Sequence, residues 1–353
     1  MTIRQRYLKI RIQSRSGALG KTIKHITFIT RRYFPVLLCA VFIAGNTVAG
    51  TFPLPPPGVD LVGQVESVPA SRKDTLLDIA RRYDIGQDEI VLANPQVDRW
   101  LPKEGAAVTL PKRYILPRAE RTGLVLNLPE MRLYYYPKPL RNQTLVVITY
   151  PVSVGRMDWV TPLGKTKITA KERDPSWRPP ESVKEEHAKE GDILPDVVPA
   201  GPDNPLGRFA MRLGLPGYLI HSTNKPYGVG MRVTHGCIRM YPEDIEQLFD
   251  QVPLRTEVQL VNQPIKVGWL DGALYVEVHP PLDEDKDNYQ EVMIAALERI
   301  AEAVAGAGTS QDVVLDDNAI RAAFAEQSGI PVMVSASLSG GGNREAPAGA
   351  WRY

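Results

Sequence analysis

Cysteine is scarce in this sequence, whose 353 residues include only Cys39 and Cys237. No CxxC pair is present, which argues against a dithiol redox centre and against a cysteine-rich zinc site. Acidic residues are absent from positions 1–49, which hold nine of the 42 Lys and Arg. The other 33 basic residues stand against 40 acidic ones. The body of the chain is therefore mildly acidic, which disfavours a nucleic-acid partner.

A long hydrophobic run is also missing. The apolar stretch 34–44 is only about half as long as the ~20 residues that a membrane span needs. It follows a basic stretch that ends at Arg32, and small residues ending at Ala49 close it. This order is typical of a signal peptide, so we predict that residues 1–49 are removed after Ala49 and that the protein is exported. An uncleaved membrane anchor is the alternative.

Export makes the second cysteine informative. Removal of residues 1–49 leaves Cys237 with no partner for an intramolecular disulfide. A solitary thiol in an oxidising compartment is a candidate reactive group. A small buried core cysteine is the alternative, and the cysteine count alone does not separate the two.

Residues 50–111 are predicted to form a linker and a small domain. Four prolines in residues 50–61 indicate a stiff Pro-rich linker. Residues 62–111 predict a strand, a helix capped by Asp74, a helix over 87–92 and a closing strand over 107–110. This βααβ order, with Asp-Thr-Leu at its start and Asn-Pro after the second helix, resembles the LysM domain. The resemblance implies binding to peptidoglycan glycan; a structural module without a ligand is the alternative.

From Gly123 the apolar periodicity changes to about two, with β-branched runs between turns. This pattern predicts antiparallel β structure over residues 122–262. Residues 172–207 interrupt it and contain seven prolines. Irregular insertions of this length are usually functional or mobile, so we interpret this one as a loop or lid over a site. Simple surface elaboration is the alternative.

The C-terminal part carries no chemical signature. Two strands and then two helices, over about 287–305 and 317–327, are predicted within residues 263–338. Residues 339–353 are rich in glycine, proline and alanine and are predicted to be a disordered tail.

Two histidines lie close in sequence to Cys237. A strand-like segment ends at His221, and His235 lies two residues before the cysteine. Acyl transfer by a cysteine needs a base, because a thiol with a pKa of about 8.5 is mostly protonated at neutral pH. His221 is on a separate segment and can face the thiol. Gly236 permits a sharp turn, which leaves the direction of His235 open but allows backbone N–H groups to approach an oxyanion.

Histidine and cysteine also occur together in structural and metal sites. A histidine at the end of a strand is often a hydrogen-bonded structural residue. A zinc site would also employ His and Cys, but only three such residues gather here.

These segments resemble the active-site signature of the L,D-transpeptidase catalytic domain. The matching stretches are Ile-His-Ser at 220–222, Thr-His-Gly-Cys-Ile-Arg-Met at 234–240 and an upstream Thr-Pro-Leu-Gly-Lys turn at 161–165. Together with the LysM-like start and the tail, the chain resembles the periplasmic L,D-transpeptidases of Gram-negative bacteria. We therefore expect a mainly β catalytic domain, a mixed β-sandwich with a short helix. A small βααβ domain and a C-terminal helical segment would accompany it in the periplasm.

The resemblance implies a role for each matching residue. Cys237 is the nucleophile and His221 its general base, oriented by Ser222 or by a backbone carbonyl. Arg239 is a partner for a substrate carboxylate. The residues expected to shape the oxyanion and substrate site are His235, Gly236, Ser222 and Thr234. The chain departs from some members in having Arg239 in place of Asn and a shorter loop after His221.

The implied reaction is acyl transfer in two steps, with no metal or organic cofactor. Cys237 attacks the meso-diaminopimelate carbonyl of a tetrapeptide stem, releases D-alanine and holds a thioester. The acceptor is an amine, either of another stem peptide, for a 3-3 crosslink, or of an outer-membrane lipoprotein lysine. With water as acceptor the activity would be that of an L,D-carboxypeptidase. A non-catalytic peptidoglycan-binding protein is a third alternative.

Overall fold

The computed structural model describes residues 49–139, 143–156, 160–306, 313–335 and 350–352. Apart from Ala49, the predicted signal peptide lies outside these residues. Within the ranges described, none of the helices has both the length and the apolar content that crossing a membrane requires.

The N-terminal module consists of two short two-stranded sheets and two helices. Its elements are β2 (Leu61–Gly63), β3 (Glu66–Pro69), α1 (Leu76–Arg82), α2 (Gln87–Leu92), β4 (Ala107–Leu110) and β5 (Arg113–Ile115). β3 pairs with β4 and β2 with β5, both antiparallel. The predicted strand, helix, helix, strand order is present from β3 to β4. Buried aliphatic side chains of both helices and of β4 form the core of this module.

The cap of α1 differs from the prediction. Thr75, rather than Asp74, is the N-cap residue: its Oγ1 accepts from the backbone N–H of Asp78 at 3.1 Å, and Asp78 Oδ2 accepts from the Thr75 N–H at 2.9 Å. This reciprocal pair satisfies two N–H groups that the first helical turn leaves unbonded. Asp74 instead forms an ion pair with Arg82 at 2.6 Å.

The segment predicted to be a Pro-rich linker is partly a strand. Residues Gly50–Pro53 form β1, which pairs antiparallel with β8 (Val146–Gly155), from Gly50 opposite Thr149 to Pro53 opposite Val146. Proline is tolerated there because β1 is an edge strand and ends at Pro53. Phe52 packs edge-on against Tyr114, with ring centroids 6.3 Å apart.

The catalytic region is built on one large mixed sheet. Its further elements are β6 (Gly123–Asn127), β7 (Arg132–Tyr136), β9 (Gly164–Arg173), β10 (Phe209–Leu213), β11 (Leu219–His221), β12 (Arg232–Thr234), β13 (Ile238–Met240), α4 (Pro242–Gln251) and β14 (Glu257–Val261). The strand order is β1-β8-β13-β11-β10-β9-β14-β6-β7, β12 adds to β8, and β7 returns to pair with β8. The expected mainly β domain is confirmed. Its two layers belong to a single sheet folded back on itself, around a core that includes Ile245 and Leu248 of α4.

The insertion at 172–207 is more regular than predicted. It contains helix α3 (Glu181–Lys189) and a β-bridge between Trp177 and Val198. Asn204, which is fully buried, donates to the carbonyls of Pro175 and Pro199 at 2.8 and 3.0 Å. Proline has no backbone N–H, so the many prolines leave the insertion short of backbone hydrogen-bond donors. The side-chain amide of Asn204 supplies donors instead and connects the two ends of the insertion.

The C-terminal region packs two helices on a small antiparallel sheet. Its elements are β15 (Ile265–Leu270), β16 (Ala273–Val278), α5 (Tyr289–Gly306), β17 (Val314–Asp316), α6 (Asp317–Glu326), β18 (Val332–Met333) and β19 (Ala350–Arg352). β19 pairs with β17, so the predicted disordered tail includes three residues of strand. The rest of that tail lies outside the described residues.

Candidate active site

The pairing of two strands brings three of the predicted site residues onto one face of the sheet. β11 and β13 are parallel neighbours, with Ile220 opposite Ile238 and His221 opposite Arg239. Both isoleucines are fully buried. Because side chains alternate along a strand, His221, Arg239 and the preceding Cys237 all project to the other face. Neighbouring strands lie about 4.8 Å apart, so Cys237 and His221 are diagonal cross-strand neighbours.

Cys237 is a partly buried free thiol. Its Sγ is 3.6 Å from the carbonyl oxygen of Gly217, to which the thiol donates. Burial raises the pKa of this thiol, and the backbone N–H of Leu219 and the charge of Arg239 only partly offset that increase. The resting form of Cys237 is therefore a protonated thiol, and it could act as a nucleophile only after a base takes its proton.

His221 is 4% exposed, and its ring is held by a backbone carbonyl. Its Nδ1 lies 2.6 Å from the carbonyl oxygen of Ser222. Since a carbonyl only accepts hydrogen bonds, Nδ1 carries the proton and Nε2 retains a lone pair. Burial, with a further contribution from the charge of Arg239, lowers the pKa of His221 to about 3. The imidazole is therefore neutral at physiological pH and can accept a proton. Of the two orienting groups expected, the structure has the carbonyl rather than the Ser222 hydroxyl.

Arg239 is the cation of this face. Burial lowers its pKa, and the nearby sulfur of Cys237 acts in the opposite direction. Its Nε is buried and has no hydrogen-bond partner among the residues that the structure describes. A guanidinium with an unpaired donor near the Cys237 thiol is suited to bind an anionic group of a ligand.

Two threonine hydroxyls hold the turn that carries Cys237. Thr234 Oγ1 donates to the carbonyl of Cys237 at 2.6 Å, and Thr161 Oγ1 donates to the carbonyl of Gly236 at 2.9 Å. Gly236 itself has a φ of 92°, in the left-handed region that favours glycine. C=O and N–H point in opposite directions across a trans peptide, so these bonds fix the directions of the following N–H groups. Thr161 belongs to the upstream turn noted in the sequence, but its contact with Gly236 was not predicted.

His235 points toward the insertion. Its Nε2 is 2.8 Å from Glu186 Oε2, on helix α3. The other oxygen of Glu186 accepts a hydrogen bond from Arg156, at the end of β8. These two contacts lower the pKa of Glu186 below its usual value, with the Arg156 contribution the larger. We name Arg156, Glu186 and His235 the insertion latch, since they join the insertion to the segment that carries the nucleophile.

The far end of the insertion meets Ser222. Gly207 has a φ of 61°, and a Cβ placed on it would lie 2.7 Å from both Ser222 Cβ and Oγ. Only glycine allows this close approach. The insertion therefore contacts the signature at both of its segments, near His221 and near Cys237.

The loop between those two segments is held by the N-terminal module. The backbone N–H groups of Gln87 and Asp88, at the start of α2, donate to the carbonyls of Val229 and Gly230 at 3.0 Å each. Ser153 Oγ donates to the carbonyl of Gly228 at 2.6 Å. Sequence reasoning did not predict this contact, because no local pattern connects a helix start with a loop more than 140 positions away.

One further group of potential metal ligands lies elsewhere, at Glu130, Glu277 and His279. Lys266 Nζ lies 2.7 Å from a carboxylate oxygen of each of the two glutamates. An ammonium group therefore occupies the position that a metal ion would need.

Two family sequence models and several known proteins match this chain. A sequence model of the L,D-transpeptidase catalytic domain matches residues 121–260, and one of the L,D-transpeptidase C-terminal domain matches residues 264–334. The probable L,D-transpeptidase YbiS of Escherichia coli K12 is 39% identical over 308 residues, covering 86% of this chain and 97% of its own. The probable L,D-transpeptidase ErfK/SrfK of the same organism is 39% identical over 306 residues, covering 85% and 96%.

Similarity to solved structures is more distant. The NMR structure of the catalytic domain from the E. faecium L,D-transpeptidase is 20% identical and covers 41% of this chain and 100% of its own, with a TM-score of 0.30. The L,D-transpeptidase from Mycobacterium smegmatis is 18% identical, covering 46% and 71%, with a TM-score of 0.29.

Proposed function

This chain is an enzyme of the L,D-transpeptidase family, and we propose that it transfers an acyl group of a peptidoglycan stem peptide through a thioester on Cys237. The observation that carries this proposal is the neutral imidazole of His221 beside a protonated thiol and an unpaired guanidinium on one face of the sheet. The non-catalytic alternative is set aside, because the chain is an enzyme of this family.

The first step forms the thioester. His221 Nε2 takes the thiol proton as Cys237 Sγ attacks the carbonyl of meso-diaminopimelate in a tetrapeptide stem. The N–H groups oriented by the Gly236 and Cys237 carbonyl contacts stabilise the oxyanion. The C–N bond to D-alanine then breaks, and the imidazolium returns the proton to the leaving amine. Arg239 binds a carboxylate of the donor stem.

The second step transfers the acyl group to an amine. The amine attacks the thioester, His221 removes its proton, and the Cys237 thiol is restored. The proposed acceptor is the amine of another stem peptide or of a lipoprotein lysine, in its neutral form, because only an amine with a free lone pair can attack the thioester. The L,D-carboxypeptidase reaction is the competing proposal.

Product analysis distinguishes these reactions. The exported enzyme is incubated with a disaccharide tetrapeptide, alone and with added amines of both kinds, and intact mass and muropeptides are followed. We expect D-alanine release, a Cys237 acyl adduct and amine-dependent crosslinked product, all absent from Cys237→Ala. Absence of D-alanine release and of the adduct would refute the thioester pathway. If tripeptide were the only product even at a saturating amine concentration, the activity would be that of an L,D-carboxypeptidase.

We also propose that the enzyme acts in the periplasm and that residues 62–111 bind peptidoglycan glycan. The exposed Trp100, 61% accessible after α2, supports the glycan contact because a flat aromatic ring can stack on a sugar ring, and the neighbouring Leu101, 72% accessible, extends the apolar surface. Sedimentation with purified sacculi tests this: Trp100→Ala should lower the bound fraction, whereas Leu254→Ala, an exposed apolar residue of the catalytic region, should not. Equal binding by both variants would contradict it.

A further inference from the structure

Two buried carboxyl groups lie outside the candidate active site. Asp84 follows α1 in a left-handed conformation, with a φ of 58°, and Asp244 lies in the first turn of α4. They are 6% and 1% exposed. Asp84 Oδ1 and both oxygens of Asp244 receive no hydrogen bond from a basic, hydroxyl or amide donor of the described residues. The two carboxyl groups hydrogen-bond to each other, so one of them, Asp244, carries a proton, and no basic side chain of the described residues is bonded to either.

The charged groups around the pair do not provide the cation. Burial raises the pKa of both carboxyls, and the charge of Asp84 raises that of Asp244 further. Arg132 favours the ionised form of Asp84, but it is bound to Glu89 at 2.6 Å and to Thr149 Oγ1 at 2.8 Å. The remaining titratable groups that face the pair are Tyr150, Tyr241 and Glu243, which is paired with Arg81.

The backbone nitrogen of Gly50 lies against this pair. It donates to Asp84 Oδ2 at 3.2 Å, and the pairing of β1 with β8 holds it there. This hydrogen bond is partly buried. Gly50 is also the first residue after the predicted cleavage site.

We propose that Asp84 and Asp244 form a binding site for the α-ammonium group of Gly50, which is created when the signal peptide is removed after Ala49. Hydrolysis of the Ala49–Gly50 bond by an export peptidase consumes one water. Its oxygen enters the Ala49 carboxylate, and the Gly50 nitrogen leaves as an amine that is protonated at neutral pH. An amide with one N–H donor becomes a cation with three, and these donors suit two carboxyl groups that no basic side chain is bonded to.

This ion pair links export processing to the sheet that carries the site. β1 pairs with residues 146–149 of β8, while Ser153 and Arg156 at the other end of β8 contact the active-site loop and the insertion latch. Ordering β1 by an ion pair therefore stabilises the strand on which the site depends. This role of the aspartate pair depends on cleavage after Ala49 and does not depend on which acyl acceptor the enzyme uses.

The test compares two exported proteins. One is the natural precursor; in the other, Gly-Ser is inserted between Ala49 and Gly50, so that cleavage displaces the new amine by two residues. We expect N-terminal sequencing of the first to begin at Gly50, and its Tm at pH 7 to exceed that of the second by roughly 3–6 °C. The ordinary pKa of an α-amino group is about 7.7–8.0, and the ion pair raises it in the folded state. The Tm difference is therefore largest near neutral pH: it is lost as the pH rises through the raised pKa of the amine, and also at acid pH, where the two carboxyl groups, whose pKa values burial raises, are protonated.

The matched control is the same insertion in an Asp84→Asn, Asp244→Asn protein, in which we expect no Tm difference. Reductive methylation of the α-amine provides a second measurement on chains with both aspartates. We expect it to be at least ~10-fold slower at Gly50 than in the extended protein. A different N-terminus, equal Tm values at pH 7, a difference that survives the double substitution, or equal methylation rates would each overturn the proposal.

Discussion

At the residue scale, burial determines the protonation of the two groups that are proposed to react. His221 and Cys237 are both neutral at rest, because desolvation lowers the pKa of the imidazole and raises that of the thiol. A pre-formed thiolate and imidazolium pair would need a less buried site. The charge of Arg239, close to both, opposes a second cation at His221.

The low pKa of His221 predicts an unusual pH dependence. Because it is about 3, the base stays available well below the ordinary histidine pKa of about 6.5. We expect the rate of Cys237 acylation at low substrate to stay level between about pH 5 and 8, measured by intact mass. A rate that halves near pH 6.5 would contradict the neutral pair. His221→Gln, which removes the base, should lower the rate by about 10²–10⁴.

Thr161 is predicted to be a positioning residue. Its hydroxyl is 3% exposed, accepts from the Gly155 N–H at 3.2 Å and donates to the Gly236 carbonyl. Thr161→Val removes the donor, so the oxyanion donor is misdirected, and we expect kcat to fall by about 10-fold or more with KM little changed. Thr161→Ser retains the hydroxyl and should recover most of the kcat. A loss shared equally by both variants would indicate a packing role instead.

At the element scale, sequence patterns predicted the elements with local signals and missed the contacts between them. The helix over 87–92 and the strand over 107–110 match α2 and β4, because apolar periodicity and Asn-Pro lie within each segment. Helix α3 was missed since the prolines around it indicate irregular structure. Asn204 and Glu186 hold that insertion in place through contacts with residues distant in sequence. The periodicity of apolar residues within a segment does not predict such contacts.

The insertion latch predicts that Glu186 controls access to the site. Glu186→Gln keeps the side-chain size but removes the charge that binds Arg156 and His235. We expect faster hydrogen exchange in residues 181–189 and a larger share of hydrolysis among the products, because a looser insertion admits water. Glu185→Gln changes an exposed neighbour on the same helix and serves as the control. Unchanged exchange and product ratio in Glu186→Gln would show that the latch is only a surface contact.

At the scale of the whole molecule, buried polar groups join the three regions. Arg132 of β7 pairs with Glu89 of α2, and the Ile115 N–H of the N-terminal module donates to Glu277 of β16 at 2.6 Å. These contacts surround the loop and sheet that carry the site. The signature around Cys237 could be recognised in the sequence because its residues are contiguous. The contacts between regions could not be recognised in the sequence, because each involves two single residues that lie far apart in the chain.

Lys266 lies at the centre of a buried ion-pair cluster between the catalytic and C-terminal regions. Its side chain is 1% exposed and bridges Glu130 of the catalytic region and Glu277 of the C-terminal region, with Nζ 2.7 Å from each. Burial alone would raise the pKa of Glu130, but the charges of Lys266 and His279 hold it below its ordinary value. Lys266→Met would therefore leave two buried carboxylates without their shared cation.

We expect Lys266→Met to destabilise the protein by about 3–5 kcal/mol, the usual cost of removing one partner of a buried ion pair. The measurement is denaturant unfolding followed by fluorescence. Lys286→Met removes a lysine whose ion pair with Asp283 is exposed, and it should change the stability by less than about 1 kcal/mol. The loss in Lys266→Met should shrink at acid pH, because protonation of Glu130 removes a charge that the substitution leaves unpaired. A loss that is independent of pH would mean that packing, rather than charge, holds the catalytic and C-terminal regions together.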